Sequence, residues 1–70
     1  MAVLKVSDAT FEREVLQSEL PVLVDLSAEW CAPCKQLSPL VEELARELEG
    51  KLKVVQVDID KSPAVAQSFR

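Results

Sequence analysis

The order of apolar patterns along the chain predicts an α/β fold in which strands and helices alternate as β-α-β-α-β-α. Three observations carry that expectation. Residues Val22–Ser27 (V-L-V-D-L-S) form a near-continuous apolar run broken by one acid, the pattern of a strand buried on both faces. Leu37, Leu40, Val41, Leu44, Ala45 and Leu48 fall at helical spacing and make one apolar stripe. Leu52–Ile59 alternates as a further strand. Strands separated by helices of this length call for parallel crossover units in a layered sheet.

The remaining elements fill in around these. Ala2–Val6 reads as a short first strand. Ser7 and Asp8 are both N-cap types, and a helix is expected after them with Phe11, Val15 and Leu16 on its apolar side. Pro21 stands at the start of the second strand, where a missing N–H is tolerated. Pro39 lies inside the long helix and is expected to kink it. Gly50 follows as its stop. Ser62-Pro63 has the form of an N-cap with Pro at the first helical position, and Val65, Ala66 and Phe69 are the expected buried side of a last short helix.

The chain has 70 residues, enough for one domain spanning 1–70 and small enough to have a modest core. Its 12 acidic and 8 basic residues give a net charge of −4, so no basic face is available to neutralise phosphates and a nucleic-acid partner is not expected. No apolar run approaches the ~20 residues of a membrane span. Residues 1–6 (M-A-V-L-K-V) lack the pattern of a secretory signal, which makes a reducing cytoplasm the expected compartment. The absence of histidine removes the usual general base of a Cys–His nucleophile.

Two cysteines remain, at the point where the second strand gives way to the long helix: Trp30-Cys31-Ala32-Pro33-Cys34-Lys35. Cysteines three apart on one helical turn face the same side and can close a small disulfide ring. Cys31 falls at the helix N-terminus, where unpaired N–H groups and the positive dipole end favour a thiolate. That makes Cys31 the expected attacking thiol and Cys34 the resolving one. Pro33 stiffens the first turn without removing a needed hydrogen bond, and Lys35 adds a positive charge that is more simply read as solvated. Asp25, an acid within the apolar run six positions before Cys31, is expected beneath the pair. A buried carboxyl there would have a raised pKa and would pass protons to and from Cys34, directly or through water. Plainer readings stand beside these: a hydrogen-bonded structural acid for Asp25, packing for Trp30, and half of a zinc site or inert core for the cysteines. Zinc wants four ligands and this chain offers two cysteines.

The segments V-D-L-S-A-E-W-C-A-P-C-K, P-L-V-E-E-L-A and V-V-Q-V-D-I-D resemble the thioredoxin family in order and spacing over nearly the whole chain. The resemblance implies a thioredoxin-like fold and a thiol–disulfide oxidoreductase that needs no cofactor. In it Cys31 is the nucleophile, Cys34 the resolving thiol and Asp25 the buried acid, with Trp30 and Pro33 flanking the substrate groove. It implies protein disulfides as substrates and a thioredoxin reductase as partner. Ala32 stands where the family most often has glycine, Ser27 where many members have an aromatic residue, and Gln56 where some place a lysine near the acid. The family continues past the position of Arg70 with a cis-proline loop, two strands and a helix. The expected fold is therefore a thioredoxin-like domain truncated before those elements. Without those strands Val22–Ser27 becomes an open sheet edge, expected to pair with another copy or with a complementary fragment. The stretch C-K-Q-L-S-P-L and the ending A-V-A-Q-S-F-R are also similar to thioredoxin domains fused to helical repeats in bacterial co-chaperones, which leaves a binding module of a longer protein, or an inactive folding fragment, as alternatives.

Overall fold

The computed structural model describes residues 2–69. Three parallel strands form one sheet: β1 (Val3–Val6), β2 (Val22–Ser27) and β3 (Lys53–Asp58), in the order β1-β3-β2. Helix α1 (Ala32–Glu47) follows β2, and α2 (Pro63–Ser68) follows β3. The alternating α/β order expected from the sequence is present. Arg70, the last residue of the A-V-A-Q-S-F-R stretch, lies outside the described residues.

The central strand is β3, and its apolar residues are the deepest in the molecule. Val54, Val55 and Val57 are all but inaccessible to solvent. Their alternation divides the core in two. Val55 and Val57 join Val6 and Val65 on one face, with Phe11, Val15, Val22, Val24 and Leu26 packed around them. Val54 joins Val3 and Ala45 on the other, beneath Val41 and Leu52 of the α1 side. A strand paired on both sides and covered on both faces reads as a β-branched run, and K-V-V-Q-V-D does.

The second strand departs from expectation. None of Val22–Ser27 is fully buried, and Leu23 is exposed. The physical reason is its place: among the described residues β2 pairs only with β3, so one edge of the strand carries no ladder. The open edge expected at Val22–Ser27 is thus present.

The first helix is also not as expected. The segment between β1 and β2 holds a single π-helical turn, Glu12–Leu16, closed by the N–H of Gln17 on the carbonyl of Glu12 at 3.0 Å. Neither Ser7 nor Asp8 caps it. The Ser7 N–H is taken by Oγ1 of Thr10 at 3.1 Å, and Asp8 is used elsewhere. Phe11 and Val15 pack on the core, whereas Leu16 is exposed.

Along α1 the expected stripe splits. The residues turned to the sheet are Cys34, Ser38, Val41, Ala45 and Leu48, all buried or half-buried. Leu37, Leu40 and Leu44 lie one step round the helix and are exposed, Leu40 by 62%. Lys35 and Glu42 stand on the flank opposite the leucine ridge, where they border hollows shared with Lys5 and Gln56 of the sheet. The helix is continuous through Pro39. After it Gly50 takes φ +89°, a left-handed conformation that L side chains rarely adopt. Phe69, expected to be buried, is half exposed past the end of α2.

Candidate active site

The sharp exit from β2 brings Trp30 and Cys31 to the mouth of α1. The N–H of Cys31 bonds back to the carbonyl of Ala28 at 3.1 Å, and Ala28 is itself buried. Cys31 is the N-cap of α1, with Ala32 and Pro33 as its first two helical residues, so the proline sits where no N–H is required. The Cys34 N–H points at the Cys31 sulfur at 3.3 Å. The two sulfurs are joined in a disulfide whose Cα atoms lie 5.3 Å apart. Both cysteines are half-buried, whereas Ala32, Pro33 and Lys35 are exposed.

A groove of about 220 Å³ opens beside the disulfide, lined chiefly by Trp30, Cys31, Cys34, Ile59, Ala66 and Phe69. Its walls come from the end of β2, the start of α1, the β3–α2 turn and α2. Trp30 stands at the rim, 69% exposed, with its indole Nε1 donating to Oδ2 of Asp60 at 2.7 Å. The turn that carries Asp60 is fixed by Asp58, whose Oδ1 accepts from the N–H groups of Asp60 and Lys61 at 2.9 and 3.3 Å.

Asp25 lies on the α1 side of β2, in register with Gln56 and, through it, with Lys5. This row of three polar side chains crosses the sheet. The Gln56 amide donates to Oδ2 of Asp25 at 3.5 Å. Asp25 is half-buried, less enclosed than expected, because its strand is at the edge. It lines a hollow of about 250 Å³ separate from the groove, together with Ser38. The Ser38 hydroxyl donates to the carbonyl of Cys34 at 3.1 Å, which connects the two hollows along one turn of α1.

Geometry and pattern agree with one family. The family model for Thioredoxin matches residues 2–70. The chain belongs to the thioredoxin family. It is 55% identical over 64 residues to the thioredoxin of Rickettsia conorii, covering 91% of this chain and 61% of that protein. Against thioredoxin 1 of Nostoc sp. it is 50% identical over 68 residues, 97% of this chain and 64% of the relative. The thioredoxin of Rickettsia felis matches at 50% over 64 residues, with shares of 91% and 61%. The chain thus spans about six-tenths of the length of these relatives.

The structure gathers Trp30, Cys31 and Cys34 around one groove and leaves Asp25 one layer away. Four contributors to this candidate site carry no signal of that role in the sequence: Asp60, which fixes the indole, and Ile59, Ala66 and Phe69, which line the groove opposite the cysteines. Asp60 lies in the D-I-D-K turn, where alternating acids signal a turn but not its partner 30 residues earlier.

Proposed function

We propose that this chain performs thiol–disulfide exchange on protein disulfides through Cys31 and Cys34. The single observation that carries the reading is the Cys31 sulfur itself: it caps α1, receives the Cys34 N–H and borders an apolar groove. On reduction, the thiolate left at Cys31 is stabilised by that N–H and by the positive end of the helix. It attacks one sulfur of a substrate disulfide and forms a mixed disulfide, while the other substrate sulfur leaves as a thiolate. Cys34, losing its proton, then attacks the Cys31 sulfur. The Cys31–Cys34 disulfide closes and the substrate departs with both sulfurs reduced. Asp25 is the acceptor for the Cys34 proton, reached by water along the Ser38 side of α1. Trp30 and Pro33 border the substrate path, Ala32 sets the loop between the cysteines, and Lys35 is a solvated charge beside it.

A reductase of the thioredoxin-reductase type would recharge the pair in a reducing cytoplasm, and no cofactor of its own is required. No helix among the described residues is long and apolar enough to cross a membrane. Alkylation of the reduced chain at neutral pH is the test: Cys31 is labelled first. Faster labelling of Cys34 would reverse the two roles.

The exposed ridge Leu37-Leu40-Leu44 and the unladdered edge of β2 favour a second reading, a docking module that pairs with another chain through Val22–Ser27. Light scattering with amide exchange decides it. Concentration-dependent association that protects β2 amides supports docking, and a dilute monomer with well-protected strands rejects it.

A further inference from the structure

We propose that Asp8 is a positioning residue for the substrate groove, acting through α2. The proposal rests on the thiol–disulfide reading of the site.

Helix α2 has six residues, too few to hold themselves in helical form without tertiary support. Its own N-cap, Ser62, makes no side-chain bond to the helix. The donors at its start are instead met from outside. Asp8, in the turn after β1, accepts from the N–H of Ala64 through Oδ2 at 3.2 Å and from the N–H of Val65 through Oδ1 at 3.0 Å. These are the two N–H groups that an N-cap side chain normally serves, and Pro63 before them has none to offer. A carboxylate here also meets the positive end of the helix. Three residues further on, Phe11 meets Phe69 edge-to-face, with ring centroids 6.0 Å apart and planes at 72°. One short segment therefore grips α2 at its start and just past its end.

What α2 presents is the groove. Val65 anchors it in the core, while Ala66 and Phe69 face the hollow beside Cys31 and Cys34. Releasing the start of α2 moves that wall and leaves the cysteines, held by α1 and the Ala28 carbonyl, where they are. Asp8 thus governs how well a protein substrate seats beside the disulfide, and it has no part in the exchange chemistry.

The experiment compares Asp8→Ala and Asp8→Asn with the unaltered chain on two substrates, a protein disulfide and a small aromatic disulfide that does not fill the groove. Amide exchange at Ala64 and Val65 is followed in parallel. Asp8→Ala raises KM for the protein substrate about fivefold, the size of a lost cap, with kcat, the small-disulfide rate and Cys31 alkylation unchanged. Asp8→Asn, which retains an acceptor, falls between and keeps the fold should Asp8→Ala lose it. An unchanged KM in both variants overturns the proposal, and so does a drop in kcat or in the alkylation rate. An unaltered chain that reduces neither substrate overturns the redox reading itself, a result separable from these.

Discussion

The indole Nε1 of Trp30 donates to Oδ2 of Asp60 across 30 residues of sequence at 2.7 Å, although the ring itself is 69% exposed. A large exposed apolar ring is expensive to order unless something holds it. Here the β3–α2 turn holds it, and Asp58 holds the turn. The rim of the groove is therefore set by β3, the most deeply buried strand.

Breaking that bond frees the ring. Because Trp30 is the only tryptophan, its emission reports the change directly. Asp60→Ala lowers the fluorescence anisotropy of Trp30 and leaves global stability nearly unchanged. Asp60→Asn, which still accepts from the indole, behaves like the unaltered chain. Equal anisotropy in all three proteins would show that the ring is fixed by something else.

Asp25→Asn separates the acid from its shape. The amide keeps an acceptor for Gln56 and removes the proton site. Resolution of the mixed disulfide slows, with formation of that species unaffected, in rapid-quench kinetics. Asp25 is half-buried, so removing its charge relieves little desolvation and changes stability by less than about 1 kcal/mol in denaturant unfolding. Unchanged resolution would leave Asp25 a purely structural acid.

Core and ridge give opposite results. Val55 is fully enclosed, and Val55→Ala removes two methyl groups and leaves a void, at a cost of about 1.5–3 kcal/mol. Leu40→Ala, at a residue 62% exposed, changes stability by only about 0.5 kcal/mol. Urea unfolding of the two variants checks the contrast.

That contrast also shows how far the sequence reaches. The periodicity of α1 identifies its apolar residues but not which of two adjacent faces the sheet covers, so spacing alone groups the exposed Leu37, Leu40 and Leu44 with Val41 and Ala45 of the core. Spacing reports amphipathicity, and the choice of side belongs to tertiary packing. The run V-L-V-D-L-S is legible as a strand, but double-sided burial needs a neighbour on each edge, and among the described residues β2 has one. W-C-A-P-C was legible because its chemistry is local: N-cap, first helical turn and disulfide all fall within a few residues. Local pattern makes Asp8 a cap for the helix that follows it, whereas its carboxylate accepts from the N–H of Val65, 57 residues on, a contact no local pattern encodes. Gly50, expected as the stop of the long helix, lies in the turn past α1, which itself ends at Glu47 with Leu48 as its C-cap.

Glu14 supplies the pH dependence. The Lys53 ammonium, 2.8 Å from its carboxylate, holds the Glu14 pKa below its usual 4.5. A depressed folded-state pKa contributes stability that is present above the unfolded value and lost as pH falls through the folded one. Glu14→Gln therefore destabilises the chain at neutral pH and matches it once the pH is well below 4.5. The site is open to solvent, so the difference is small and shrinks in added salt. Unfolding midpoints at the two pH values measure it, and an equal loss at both would show that the pair acts through packing.

The central claim is that Cys31 attacks and Cys34 resolves. Incubating Cys34→Ser and Cys31→Ser separately with a protein disulfide, then resolving the products by non-reducing electrophoresis and mass spectrometry, tests it most directly. Cys34→Ser accumulates a mixed disulfide through Cys31, and Cys31→Ser accumulates none. A covalent adduct trapped on Cys34 in Cys31→Ser, with none on Cys31 in Cys34→Ser, would contradict the account.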